Sequence, residues 1–261
     1  MPVKSADRVL AILELLSAGH RRYSLSEIGQ QLGIPLSSLH GILRTMQRRR
    51  WLEADETNTR FGIGPQALVA GSSYPRSDPH VARADAVLDW LSQETGETVH
   101  YGRLDGSFVI YLAKRESRHM LRIYSAVGKR IPAHAAALGK AILAQRGEAE
   151  AEGILDWPLA HLSPYTLVTR EALFADLAVT RERGYAVELQ ESDLGLGCVA
   201  VTVPGTPTPG DAISITAPTV RLDGDRLDEL ARLLTGARRM LDGRAVVPAA
   251  ASPRGFLRNL D

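Results

Sequence analysis

Apolar residues recur along this chain with two different periods, and the change from one to the other divides it. Val9, Ile12, Leu13 and Leu16 lie three and four apart, so SADRVLAILELLSAG predicts an amphipathic helix, with Ser5 able to cap its start and Gly19 just past its end. A shorter helix is predicted from Ser24 to Leu32. Ser24 and Glu27 form an S-x-x-E capping box, Ile28 and Leu32 face inward, and Gly33 can supply the left-handed backbone that ends it. Pro35 stands where a third helix would start, a position that needs no amide donor. Leu39, Ile42, Leu43 and Met46 give that helix a single apolar stripe. The strand WLEAD, the polar turn ETNT and the strand RFGIG then predict a hairpin. Capping box, glycine turn, proline-started helix and hairpin, in this order, describe a winged helix-turn-helix.

Residues 65–80 carry three prolines, one glycine and several serines, which marks a boundary. From Val81 to about Gln93 a helical stripe returns (Val81, Ala84, Val87, Leu88, Leu91) and predicts a connecting helix. Beyond it the period is mostly two. TVHYGRLDGSFVIYLAKRE predicts two strands around the turn Asp105–Gly106, a strong hairpin signal. MLRIYSAV, YAVELQE, CVAVTVP and AISITAP predict further strands, rich in β-branched residues. AHAAALGKAILAQ, EALFADLAVTRERG and LDGDRLDELARLLTGARRMLDG predict helices. Strands grouped around an antiparallel sheet with helices packed on it point to an α+β fold and not a doubly wound one. The expected organisation is residues 1–70 as the winged helix-turn-helix, 71–95 as linker and connecting helix, 96–245 as a second domain, and 246–261 as a loosely ordered tail.

Charge sharpens the picture of the first domain. The whole chain carries a formal net charge of +1, but residues 1–70 hold nine Lys/Arg against six Asp/Glu. Arg44, Arg48, Arg49 and Arg50 fall within seven residues that include no acid. Such a cluster is the electrostatic footprint of phosphate contact, although cations also suit the C-terminal end of any helix dipole. Opposite the apolar stripe of the third helix stand Ser37, Ser38, His40, Arg44, Gln47 and Arg48, all able to hydrogen-bond phosphates or base edges. Together with Arg60 of the hairpin these are the candidate contacts to double-stranded operator DNA.

The remaining chemistry is sparse. Cys198 is the one cysteine, so the chain has no internal disulfide and no cysteine zinc motif. No apolar run is long enough to span a bilayer and no leader opens the chain, so a cytoplasmic protein is expected. H-E-x-x-H, G-x-S-x-G and G-x-x-x-x-G-K-[ST] are all missing, and the seven histidines are scattered. Gly195 to Ala200 match G-x-G-x-x-A, but β-branched residues follow where a dinucleotide site needs a helix, so a turn into a strand is expected. Lys140 is expected to be solvated, and Cys198 to pack as a small apolar group or line a pocket. No cofactor is implied.

In its motifs the chain resembles the isocitrate lyase regulator (IclR) family of bacterial transcription factors over roughly residues 4–243. The resemblance rests on SADRVLAILELL, LSEIGQQLGIPLSSLHGILRTM, RFGIG, VGKRIPAHAAALGKAILA, RERGYAVELQESDLGLGCVAV and AISITAP, in that order. It implies a winged helix-turn-helix, a linker helix and a GAF/PAS-like effector-binding domain, with self-association as a dimer or tetramer. Family members lodge a small molecule between the H-A-x-x-x-G-K-A block and the last strands. Carried over by position, the pocket uses backbone at Ala137 and Leu138 and the side chains of Glu188, Cys198, Ser214 and Thr216. A small organic acid is the ligand class this suggests, because free amides at a helix start favour anions. Two departures stand out: Gly41 occupies a recognition-helix position where the family usually has arginine, and Glu188 one where relatives more often have aspartate. The implied function is a ligand-responsive regulator, a repressor by preference. The alternative is an enzyme of small carboxylates with a fused winged helix used for protein contacts.

Overall fold

The computed structural model describes residues 3–19, 21–121, 125–206 and 210–248. The chain forms two compact units, Met1–Ser77 and Asp78–Asp261.

In the first unit, helices α1 (Lys4–Ala18), α2 (Leu25–Leu32) and α3 (Leu36–Arg48) pack with a small sheet made of β1 (Tyr23–Ser24), β2 (Leu52–Ala54) and β3 (Arg60–Ile63). The strand order is β1-β3-β2, all antiparallel. The capping box forms as expected: the Glu27 amide donates to Ser24 Oγ (3.2 Å) and the Ser24 amide to Glu27 Oε2 (2.7 Å). Gly33 ends α2 at φ +62°, in the left-handed region. Ile12, Ile28, Leu39, Leu43 and Leu52, each at most 1% exposed, make the core of the unit. Ser5 does not cap α1, which starts a residue earlier behind Val3. The prolines and serines of 65–77 also do not break the chain: Pro65–Ser77 is a helix, α4, with Pro75 inside it and no buried residue.

In the second unit, α5 (Pro79–Thr95) starts behind Asp78, whose carboxylate accepts from the His80 and Val81 amides. Six antiparallel strands follow: β4 (Thr98–Asp105), β5 (Phe108–Arg115), β6 (Arg130–Pro132), β7 (Ala186–Leu189), β8 (Leu196–Thr202) and β9 (Asp211–Pro218), in the order β6-β5-β4-β9-β8-β7. The Asp105–Gly106 hairpin, the turn at Gly195 (φ +78°) and the α+β architecture are as the sequence indicates. The strand expected over MLRIYSAV lies in part outside the described residues, and those on either side of 122–124 join no ladder.

Alternation along the strands sends side chains to two faces. Val99, Tyr101, Val199, Val201, Ile213 and Ile215 pack on α5 and on the closing helix α9 (Gly224–Leu241). The other face lies under α6 (Ala137–Leu143) and α8 (Arg170–Arg183), with Val109, Ala186, Ala200 and Ala212 in that core; a short α7 (Glu148–Ile154) joins the two helices. A tight approach seats α6: a Cβ at Gly139 would lie 2.1 Å from the Ala133 carbonyl oxygen, so only glycine fits there. The tail expected over 246–261 lies outside the described residues from 249 onward.

Candidate functional site

The polar face of α3 emerges as a consequence of burying the other face. Leu39, Leu43 and Met46 fill the core, and this rotates Ser37, Ser38, His40, Gly41, Arg44 and Arg48 outward, all exposed. Among the described residues neither Arg44 nor Arg48 has an acid or a hydrogen-bond acceptor as partner, so their charges are uncompensated locally. Beside them runs a groove of about 660 Å³ lined by Ser26, His40, Arg44, Gln47, Asn58 and Thr59, bounded by α2, α3 and the wing. The wing turn is ordered by Asp55, whose Oδ1 accepts from the Thr59 (2.8 Å) and Arg60 (3.0 Å) amides; these amides hold its carboxyl below the usual range.

Two of the candidate DNA residues are otherwise engaged. Gln47 is half-buried and donates to Asn58 Oδ1 at the wing tip (3.1 Å). The Arg60 guanidinium lies 3.4 Å from Glu27 Oε2 and donates to the Arg22 carbonyl. Glu27 also pairs with Arg21 (2.8 Å), and the Ser24 amide and Arg21 hold its carboxyl down at about 2. Arg60 thus spends part of its charge inside the domain.

At Gly41, α3 continues unbroken and a Cβ would meet nothing within 4 Å. Glycine here weakens the helix without any steric reason to be glycine. Gly41→Ala is expected to raise the stability of the first unit by about 0.5–1 kcal/mol. Thermal unfolding would read this as a higher midpoint; an unchanged or lower midpoint would show that the backbone needs glycine.

In the second unit, strand register brings distant residues into rows on the face under α6. Thr98 on β4 pairs with Thr216 on β9, Thr216 with Cys198 on β8, and Cys198 with Glu188 on β7. In the next row His100 pairs with Ser214, and Ser214 with Ala200. Of these, Thr98, His100, Glu188, Ser214 and Thr216 are all buried. Ala137 and Leu138 open α6, whose start no side chain caps, and the Leu138 side chain reaches down to the sheet at Gly102. The four side chains expected from the sequence, Glu188, Cys198, Ser214 and Thr216, therefore share one face of the sheet, and Leu138 of α6 packs on that face at Gly102.

Glu188 Oε1 accepts from the amides of Glu191 (2.5 Å) and Ser192 (3.1 Å), while Oε2 has no partner among the described residues. Burial pushes this carboxyl up to about 7 against the pull of those two amides, and the charge of Glu191 adds to the rise. Near neutrality it is divided between acid and carboxylate, so it can offer a proton to an anion that a fixed carboxylate would repel. The Cys198 thiol donates to Thr216 Oγ1 (3.1 Å), and burial raises its pKa well above the ordinary value, so it is no nucleophile at neutral pH.

Thr98 and His100 are not among the pocket residues expected from the sequence. They alternate with Val99 and Tyr101 in TVHYG as Ser214 and Thr216 do in AISIT, but the pairing of β4 with β9, distant in sequence, is what joins the two sets. Lys140, expected to be solvated, is instead 0% exposed: its Nζ lies 2.5 Å from Glu191 Oε1 and 3.2 Å from Asp176 Oδ2. Its place on α6 faces α8 and the loop after β7, which is where the charge must go. No group of three His, Cys, Asp or Glu among the described residues is arranged to hold a metal ion.

Comparison with known proteins agrees with the fold. Residues 5–56 match the IclR helix-turn-helix domain and residues 76–242 the bacterial transcriptional regulator IclR C-terminal domain. The chain belongs to the IclR family. Among its relatives, the HTH-type transcriptional regulator XynR of Escherichia coli is 36% identical over 78% of this chain and 81% of that protein. The transcriptional repressor IclR of the same organism is 34% identical over 90% of this chain and 87% of that protein. The crystal structure of an IclR transcriptional regulator from Alicyclobacillus acidocaldarius superposes with a TM-score of 0.80 at 26% identity, over 94% of this chain and 99% of that one. The chain is accordingly a transcriptional regulator and not an enzyme, with an N-terminal helix-turn-helix domain and a C-terminal IclR effector domain. The fused-enzyme alternative is set aside. No helix among the described residues is long and apolar enough to cross a membrane.

Proposed function

We propose that this regulator is a ligand-responsive repressor that binds double-stranded operator DNA and is controlled by a small organic acid. In functional terms residues 1–70 read DNA, 71–95 connect, and 96–245 bind the effector. Ser37, Ser38 and His40, at the N-terminal half of α3, reach base edges. Arg44 and Arg48 take phosphates or a guanine, and Gln47 and Arg60 steady the wing against the backbone. The observation that carries the DNA half of this reading is the pair of uncompensated cations, Arg44 and Arg48, on an exposed helix face beside a groove.

The effector is hydroxylated or aromatic in this reading. Its carboxylate is taken by the amides near Ala137 and Leu138 with the hydroxyls of Ser214 and Thr216, Cys198 closes the apolar side, and Glu188 faces a ligand donor or, when protonated, the anion itself. Self-association as a dimer or tetramer supplies the two half-sites that a genome-scale search requires.

A gel shift with the DNA upstream of the chain's own gene, titrated with salt and with organic acids, tests this. Removing one phosphate-binding cation lowers the log–log salt slope by roughly one unit. Arg44→Ala and Arg48→Ala are expected to weaken binding and flatten the slope, whereas Arg238→Ala on α9 changes neither. Equal effects at all three positions would remove DNA binding from the first unit.

A further inference from the structure

Three buried polar atoms on the α6-facing side of the large sheet have no hydrogen-bond partner among the described residues: Thr98 Oγ1, His100 Nδ1 and Glu188 Oε2. Buried polar groups are nearly always paired, and an orphan costs stability, so a group of them on one face marks a place where something else supplies the partner. Two of the three sit on β4, outside the residues assigned to the effector above. Valine in place of Thr98 would fill the same space without the cost of the hydroxyl.

We propose that Thr98 and His100 form a second polar subsite of the effector pocket, one that reads a hydroxyl or oxo oxygen on the carbon chain of the acid. This rests on the pocket assignment made above. Register sets the geometry. Thr98 stands opposite Thr216, and His100 opposite Ser214, so the β4 residues stand one strand spacing, about 4.8 Å, from their β9 partners and on the same face. A carboxylate held over β9 therefore brings an oxygen on its second, third or fourth carbon above β4. Glu188 lies two strands away on the opposite side, across Cys198.

The histidine is built to present a single free nitrogen. Its Nε2 is 2.8 Å from Ser125 Oγ, and its ring stacks on Tyr111 with centroids 4.2 Å apart and planes 15° from parallel. These contacts fix the ring and leave Nδ1 as the unpaired atom. Burial, helped by Lys114 and Lys129, holds the imidazole down at about 3, so it is neutral and one nitrogen donates while the other accepts. The Ser125 hydroxyl can take either complementary role, so Nδ1 serves a ligand hydroxyl or a carbonyl equally. An unsubstituted acid leaves both β4 groups unpaired, and sites built to hydrogen-bond a ligand oxygen strongly reject analogues that lack it.

The experiment uses the full chain and a panel of short straight-chain alkanoates, beside the same acids bearing one hydroxyl or oxo group on the second, third or fourth carbon. Thermal shift and release from operator DNA are read for each. At least one oxygenated acid is expected to bind roughly tenfold or more tightly than its parent. Thr98→Val and His100→Phe each bring that acid down to the level of its parent without changing the parent, whereas Ser214→Ala weakens both. Ligand-free Thr98→Val melts at or above the wild-type temperature, because it removes an orphan; a clear drop would make the hydroxyl structural and overturn the subsite. Thr98→Val is isosteric and reports even if His100→Phe fails to fold. If the β4 variants keep the full preference while Ser214→Ala loses binding, the subsite falls and the pocket stands. If no acid of the panel shifts the wild type, the subsite falls, and if benzoate and the hydroxybenzoates also fail to shift it, the pocket assignment falls with it.

Discussion

Replacing Lys140 by methionine is expected to destabilise the effector-binding unit by about 3–5 kcal/mol at neutral pH, among the largest effects of any single change in the chain. Methionine matches the length of the side chain and keeps its apolar stem, so the packing around it is largely preserved. What disappears is the ammonium between Glu191 and Asp176, at 2.5 and 3.2 Å. A buried carboxylate without its cation bears the full cost of leaving water. For a unit of this size each kcal/mol moves the melting midpoint by roughly 2–4 °C, so calorimetry should show a drop on the order of 10 °C. The deficit should shrink as pH falls, because the abandoned Glu191 carboxyl, already raised by burial, takes up a proton and becomes neutral. Adding Glu191→Gln should restore much of the stability. A Lys140→Met protein as stable as the wild type at pH 8 would show that the ion pair contributes nothing net.

Glu188→Gln is expected to do the opposite, and its sign depends on pH. The Glu188 carboxyl is raised from its ordinary 4.5 to about 7, chiefly by burial. Between those two values the folded chain holds a proton that the unfolded chain has released, so stability falls as pH rises through this window and levels off above it. A shift of that size corresponds to roughly 3 kcal/mol. Glutamine keeps an oxygen for the Glu191 and Ser192 amides and places an N–H where the orphaned Oε2 now stands. The variant should match the wild type near pH 4.5, exceed it by about that amount at pH 8, and lose this component of the pH dependence. Denaturant melts across the range decide it. A constant offset between the two proteins would mean that Glu188 ionises normally in the fold. Glu191, also raised by burial, titrates in the same direction and remains in both proteins, so the pH dependence left in the variant belongs in part to Glu191.

Much of this protein was legible in the sequence, for local reasons. A capping box, a left-handed glycine and a helical stripe are decided within a few residues, and so Ser24, Gly33 and the Leu39 to Met46 face could be read directly. Alternation with a two-residue turn defined the β4–β5 hairpin in the same way. The polar face of α3 followed from the apolar one. Helix α4 was less legible, because prolines and serines discourage a helix without forbidding one and Pro75 lies within it.

Other features belong to the tertiary structure alone. Alternation says that Thr98 and His100 share a face, and that Ser214 and Thr216 do, but not that the two faces are the same one. That follows from β4 and β9 lying side by side in the sheet although they are far apart along the chain. Lys140 looked like any surface lysine because its partners come from α8 and from the loop beyond β7, far along the chain. Arg60 looked free, yet folding sets it against Glu27. Apart from α4 and the segment around 122–124, the sequence by itself determined the main helices and strands and which side of each is apolar, since those depend on neighbours a few residues away. Only the fold decided which buried charges are paired and which polar atoms are left waiting, because burial and pairing are set by residues that meet only when the sheet closes.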